Sequence, residues 1–254
     1  MATPDLSVII ITKNEAPRIR RCLESVRFAS EIIVLDSGST DNTVAICQEY
    51  TDKVYTTDWP GFGLQKNRAL EKAQGQWVLA IDADEWADEA LCTEIMAAIS
   101  ANDSSVNAFA IPRRTKYLGY WVYHGDVGRD KVIRLFRRGQ ARFSEKVVHE
   151  NLVVDDNRVG QLKHHLYHDS YRTIEELQER MNTYTTLSAQ IRYQNGKRSS
   201  LTKAVTHAIW AFVKAYFVRG GFLDGRIGFI VAVSSAESSY YRYLKLLWLE
   251  QPKI

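Results

Sequence analysis

Cysteine is scarce in this 254-residue chain: Cys22, Cys47 and Cys92 are an odd number, contain no C-x-x-C and fall in segments of helical pattern. A disulfide framework and a zinc site are therefore not expected, and a reducing cytosol fits. Long apolar runs are missing too. No stretch reaches the ~18 uninterrupted apolar residues of a membrane span. The opening MATPDLSVIII sets Asp5 before its apolar run with no basic leader, which argues against a signal peptide. Neither G-x-G-x-x-G nor G-x-x-x-x-G-K-[ST] occurs, which disfavours an NAD-dependent dehydrogenase and a P-loop enzyme. Internal repeats and low-complexity runs are also absent.

What is present is a core-forming sequence with 45% apolar residues, enough for one full domain or a domain with a sizeable appendage. Its net charge of +3 hides an asymmetry: residues 196–254 carry nine Lys and Arg against three Asp and Glu. Four short apolar runs, SVIII, EIIVL, KVYT and WVLAI, alternate with helical stripes such as Ile19/Leu23/Val26 and Leu91/Ile95/Ile99. Alternation of this kind predicts βαβ units: a Rossmann-like, mostly parallel sheet flanked by helices, with ligands at the C-terminal ends of its strands. From Asn107 to Asp169 short strand-like pieces predict a mixed or antiparallel extension. Thr173 and Glu176 form a T-x-x-E helix start, Asn195-Gly196 a stop, and helices are expected from Leu201 to Val218 and from GGFLDG to Trp248.

Three of the four strand ends carry polar clusters: T-K-N-E (12–15), D-S-G-S-T-D-N-T (36–43) and D-A-D-E (82–85). Without a glycine loop, a nucleotide would bind through side chains such as Asp36. Alternate positions place Asp82 and Asp84 near one mouth of the sheet, where a hard cation would relieve their repulsion. The competing reading is that Asp84 or Asp88 merely caps the helix that follows, and on the tripeptide alone the two are even.

The segments SVIIITKNEA, EIIVLDSGSTDNT, WPGFGLQKNRAL, WVLAIDADE, VIRLFRR, VVHE and YHDSY, in this order, resemble the inverting family-2 glycosyltransferases of the GT-A fold. They are most similar to bacterial enzymes that add glucose in β-1,4 linkage to the lipopolysaccharide inner core. The resemblance implies uridine contacts at Thr12, Asn14, Glu15 and Asp36, and places Lys66 or Arg68 toward the nucleotide or its phosphates. It implies Asp82 on the donor, Asp84 and His168 on a divalent metal, Mg2+ or Mn2+, and Glu150 as the catalytic base. Taken alone, Glu150 reads as a surface carboxylate and His168 as a hydrogen-bonded core histidine. The stretch H-G-D-V-G-R-D-K (124–131) departs from relatives and makes Asp126 and Asp130 rival bases. Arg113, Arg114, Arg129, Arg134, Arg137, Arg138 and Arg142 would meet an anionic acceptor or, more commonly for such a run, line a solvated strand face.

Residues 1–195 are expected to form the GT-A catalytic domain, with a nucleotide-binding half (1–106) and an acceptor half (107–195), followed by a helical, basic and aromatic appendage (196–254). Aromatic residues Trp210, Phe212, Tyr216 and Phe217 among Lys203, Lys214 and Arg219, and later Tyr240, Tyr241, Tyr243 and Trp248 among Arg242 and Lys245, fit either contact with an anionic membrane or packing on the protein. The expected activity is transfer of a hexose, glucose from UDP-glucose, to a heptose of a lipid-linked saccharide acceptor at the inner face of the cytoplasmic membrane. No nucleic-acid module accompanies the charge, so a nucleic-acid partner is not expected. The rivals are a nucleotidyltransferase and a non-catalytic, membrane-associated nucleotide-sugar-binding protein.

Overall fold

The structure is a computed structural model that describes residues 5–144 and 151–249. The chain forms two compact units, one of residues 1–113 and 131–168, the other of residues 114–130 and 169–254.

In the first unit the four apolar runs become β1 (Leu6–Thr12), β2 (Glu31–Asp36), β3 (Val54–Thr56) and β4 (Trp77–Asp82). All four are parallel, in the spatial order β3-β2-β1-β4. The runs of β1, β2 and β4 are continuous rather than alternating because both faces of these strands are covered, whereas β3 is an exposed edge. Val8 and Ile10 of β1, Ile32 and Val34 of β2, and Leu79 and Ile81 of β4 enter one core, where Ile19 and Leu23 of α1 (Ala16–Ser25) and Leu91 and Ile95 of α4 (Glu89–Ala101) meet them. The intervening Ile9, Ile33 and Val78 enter a second core with Ala69 of α3 (Phe62–Leu70). A short helix, α2 (Thr43–Gln48), links β2 to β3.

Beyond β4 the sheet turns mostly antiparallel, with one parallel pairing, as expected from the change in texture. β8 (Lys131–Arg137) pairs antiparallel with β4 and with β6 (Ala108–Tyr117), and the order continues through β12 (Leu166–Tyr171) to β5 (Glu85–Ala87). β11 (Val159–Gln161) pairs parallel with β6, and β9 (Ala141–Phe143) antiparallel with β10 (Leu152–Val154). Cys22, Cys47 and Cys92 are free thiols. Burial raises Cys47 to about 12 and Cys92 to about 11, which keeps them protonated.

The second unit contains β7 (Tyr120–Val122) and helices α5 (Ile174–Gln194), α6 (Leu201–Val213) and α7 (Gly225–Trp248). Thr173 caps α5, accepting from Glu176 N at 3.2 Å, while the Glu176 carboxylate accepts from Arg172 N. Gly196, at φ +72°, turns the chain out of α5. Ser200 caps α6 through Lys203 N. The helix expected to reach Val218 does so, but its last five residues, Lys214–Val218, widen into a π-helical turn. A short 3-10 turn, Gly221–Asp224, then leads into α7, which packs on α5 and α6. No helix among the described residues is long and apolar enough to cross a membrane.

Candidate active site

The strand register brings three of the polar clusters to one edge. Thr12 is level with Asp36 on β2, and Ile11 with Asp82 on β4, so Asp36, Thr12 and Asp82 end three neighbouring strands side by side. The first two clusters are laced together. Asn14, in the left-handed region at φ +55°, donates its N–H to Ser39 Oγ at 2.8 Å and accepts from Thr40 N at 2.8 Å. Glu15 N donates to Thr43 Oγ1, and the Glu15 carboxylate accepts from Arg18 Nε at 2.6 Å. Asp36 is buried, and its Oδ2 accepts from Gly38 N and Ser39 N, both at 2.9 Å. Its carboxylate therefore shapes the loop after β2. Thr12 differs: its Oγ1 is buried at the strand end without a hydrogen-bond partner among the described residues, an arrangement that costs stability unless something supplies the partner.

The Q-K-N-R run divides its labour along α3. Gln65 Nε2 donates to Ser37 Oγ and Thr57 Oγ1, tying the ends of β2 and β3. Lys66, only 4% exposed, pairs with Asp82 at 2.9 Å. The Asn67 amide exchanges two 2.9 Å hydrogen bonds with the Phe143 backbone, holding the end of β9. Arg68 turns to the surface and pairs with Asp58 at 2.7 Å. Of the two cations expected to face a nucleotide, Lys66 lies at the carboxylate cluster and Arg68 pairs outside it.

Asp82 also pairs with Arg134 of β8. Arg134 in turn donates to Glu85 at 2.9 Å, and Glu85, fully buried, takes a second 2.9 Å bond from Arg113. Glu85 Oε2 closes the turn by accepting from Asp82 N at 3.0 Å. Two carboxylates thus face three cations. Burial pushes the Asp82 pKa up, but Arg134 and Lys66 outweigh it and hold the carboxyl far below the usual range. Burial likewise opposes the charge on Arg134, yet Asp82 and Glu85 raise its pKa. Arg134 is therefore buried and paired, unlike the solvated strand face that such arginines usually line.

Asp88 caps α4, its Oδ1 accepting from Leu91 N at 2.9 Å, which frees Asp84 from the capping role. Antiparallel pairing of β5 with β12 places His168 opposite Glu85, and His168 Nε2 lies 3.5 Å from Asp84 Oδ2. That separation lets both atoms reach one cation, since Mg2+ or Mn2+ takes its ligands at ~2.1 Å. A carboxylate with an imidazole suits a first-row divalent ion. Among the described residues no group of three His, Cys, Asp or Glu side chains that could hold a metal ion gathers. Glu150 lies outside the described residues. Asp126 is ion-paired with Arg219 in the second unit.

The sequence reads Arg134 only within a run of arginines and gives Glu85, Gln65 and Asn67 no role of their own. The signal for Arg134 is a single charge among Ile133, Leu135 and Phe136 on a strand. Glu85, Gln65 and Asn67 sit inside the D-A-D-E and Q-K-N-R runs.

A parallel half whose strands end in carboxylates, continued by a mostly antiparallel extension and a helical C-terminal part, is the GT-A architecture of glycosyltransferases. The profile of Glycosyl transferase family 2 matches residues 7–160, and the chain belongs to this family. It is 32% identical over 247 residues to the Lipopolysaccharide core biosynthesis glycosyltransferase LpsC of Rhizobium meliloti (strain 1021), covering 95% of this chain and 91% of that protein. It is 33% identical to the Uncharacterized glycosyltransferase RT0209 of Rickettsia typhi (strain ATCC VR-144 / Wilmington), covering 95% and 86%. The fold is shared with the mannosyltransferase PcManGT from Pyrobaculum calidifontis in complex with GDP-Man and Mn2+. That match has a TM-score of 0.55 at 16% identity, covering 98% of this chain and 88% of the other. Glucosyl-3-phosphoglycerate synthase from Mycobacterium tuberculosis, in complex with Mn2+, UDP and glucosyl-3-phosphoglycerate, matches at 0.51 and 18% identity over 79% and 83%.

Proposed function

We propose that the protein is a metal-dependent, inverting hexosyltransferase that moves glucose from UDP-glucose onto a heptose of the lipopolysaccharide inner core. The observation that carries this reading is the division of labour within D-A-D-E. Asp82 is locked ionised by Lys66 and Arg134, while Asp84, relieved of capping by Asp88, lies 3.5 Å from His168. The acceptor class follows LpsC, a lipopolysaccharide core enzyme by name and 32% identical along nearly the whole chain.

In this scheme the donor lies across the strand ends, with its uridine over the Thr12–Glu15 and Asp36 loops and the Thr12 hydroxyl finding its partner there. Asp82 takes a donor hydroxyl and Lys66 meets the diphosphate. When bound, Mg2+ or Mn2+, held by Asp84 and His168, would offset the charge of the departing diphosphate. Glu150 removes the proton from the acceptor hydroxyl as its oxygen bonds to the anomeric carbon and the bond to UDP breaks on the opposite face, so configuration inverts. Glu150 is preferred over Asp126 because Asp126 is engaged by Arg219. Catalysis is assigned to residues 1–195. The acceptor is lipid-linked and met at the inner face of the cytoplasmic membrane, with residues 196–254 as the docking appendage.

The test is hydrolysis of a panel of UDP-sugars without acceptor. UDP-glucose should be cleaved fastest with added manganese, and cleavage should stop in excess EDTA and in Asp84→Ala, whose melting curve should stay close to wild type. Full activity in EDTA would rule out the metal. A protein that binds UDP-glucose but never cleaves it would be a binding protein.

A further inference from the structure

The aromatic and basic C-terminal segment divides into two parts with different surroundings, both within the second unit. Toward the end of α7, Lys245 is turned inward: its Nζ donates to Asn182 O, Asn182 Oδ1, Thr185 Oγ1 and Thr186 Oγ1 at 2.7 to 2.9 Å, pinning α7 to α5. Tyr243 stacks on His207, their ring centroids 4.3 Å apart. These groups hold the helices together. The turn joining α6 to α7 is the opposite case. Phe212, Tyr216, Phe217, Phe222 and Phe229 form one connected cluster of rings with centroids 5.1 to 6.3 Å apart. Its outer members Phe217, Phe222 and Phe229, with Val218, Leu223 and Ile230 beside them, are 36 to 66% exposed. An exposed apolar patch of this kind marks a binding surface.

Charge identifies the occupant. Between Ser199 and Ala236 the only acidic residue is Asp224, in the turn itself. Its carboxylate is 4% exposed, paired with His124 Nδ1 at 2.8 Å and accepting from Tyr123 N and His124 N. The same stretch carries Lys203, Lys214, Arg219 and Arg226, of which Arg219 is offset by Asp126. An apolar tip whose segment carries an excess of cations, whose own acid Asp224 is withdrawn and whose neighbouring Asp126 is spent on Arg219 matches an anionic lipid interface, whereas a protein groove of mixed charge would not require the acid to be withdrawn. The turn is also preformed. A Cβ on Gly228 would lie 1.8 Å from Gly221 O, and one on Gly221 would lie 2.7 Å from Ala215 O, so these two glycines allow the close approach that builds the tip.

We infer that the α6–α7 turn, led by Phe222 and Leu223, inserts into the interfacial layer of an anionic bilayer and anchors the enzyme as a monotopic protein. The inference names the surface for the lipid-borne acceptor proposed above and rests on that reading for its purpose alone. Trp248 is also exposed, but α7 is 24 residues long, which places it ~36 Å along the helix from the turn and outside the inserted edge.

Sedimentation of the full chain with phosphatidylcholine vesicles, alone or mixed equally with phosphatidylglycerol, tests this. Wild type should pellet with the mixed vesicles, less so in high salt, and poorly with phosphatidylcholine. Phe222→Ser/Leu223→Ser should weaken binding at least ~10-fold with a melting curve close to wild type, because the two residues are 49% and 61% exposed. Lys214→Gln/Arg226→Gln should bind less and lose most of the salt dependence, and Trp248→Ser should bind like wild type. Wild type left in the supernatant at low salt would overturn the inference. So would a Phe222/Leu223 variant that binds normally, or one whose only change is from dimer to monomer, which would make the patch a contact between copies. UDP-glucose hydrolysis without acceptor, measured on the same samples, separates the two readings. Hydrolysis without vesicle binding refutes the anchor alone, and vesicle binding without hydrolysis refutes the transferase alone.

Discussion

Replacement of Arg134 by methionine probes the assembly of the site most directly. The guanidinium is 7% exposed and bridges Asp82 to Glu85, the latter fully buried. Methionine fills much of the same volume and removes the charge and both contacts. Breaking a buried ion pair by removing one partner costs ~3–5 kcal/mol, because the remaining charge stays desolvated. Here each carboxylate keeps a second cation, Lys66 at 2.9 Å from Asp82 and Arg113 at 2.9 Å from Glu85. The loss should therefore fall near the lower end, about 3 kcal/mol. For a chain of this size that lowers Tm by ~6–12 °C. Thermal and urea unfolding of Arg134→Met beside wild type measure the loss, and a cycle with Asp82→Asn measures the coupling. In the Asp82→Asn background the cost should shrink, since one of the two carboxylates is already neutral. A loss under ~1 kcal/mol, or a cost that Asp82→Asn leaves unchanged, would mean that Arg134 behaves as an ordinary solvated arginine and that the cluster does not organise D-A-D-E.

Two further outcomes are expected. Glu150→Gln keeps the size of the side chain and removes its basicity, so turnover should collapse, by ~10²–10⁴-fold for a lost general base, while UDP affinity stays near wild type; retained turnover would pass the role to Asp130. Glu31 is pushed up by burial, but hydrogen bonds from Lys53, Ser7 and Gln74 N outweigh this and lower it from 4.5 to about 2. A depressed folded-state pKa gives stability that is present above the unfolded value and lost as pH falls through the folded one, so this contribution should vanish between pH 4.5 and about 2. Glu31→Gln should be less stable than wild type at pH 7 and show a flatter acid limb in urea titrations; parallel acid limbs for the two proteins would refute the assignment.

The parallel half was legible because its central strands are covered on both faces. The Val8–Ile11 run of β1 must be apolar at every position, and that requirement is written locally, as are the Thr173 cap and the Gly196 stop. The strand-end clusters were legible for the same reason: where an apolar run ends in T-K-N-E or D-A-D-E, polar groups reach one edge in any parallel sheet. What the sequence left open at D-A-D-E was which carboxylate caps the helix and which faces a cation. Tertiary structure gives the cap to Asp88 and brings His168 to Asp84 through the pairing of β5 with β12. The ion cluster draws Lys66, Asp82, Glu85, Arg113 and Arg134 from α3, β4, β5, β6 and β8, and no spacing along the chain encodes strand order. The C-terminal segment shows the same limit. Its aromatic and basic residues look alike in both halves, yet Lys245 is drawn inward because α5 presents four oxygens to it, while Phe222 and Leu223 of the α6–α7 turn stay exposed.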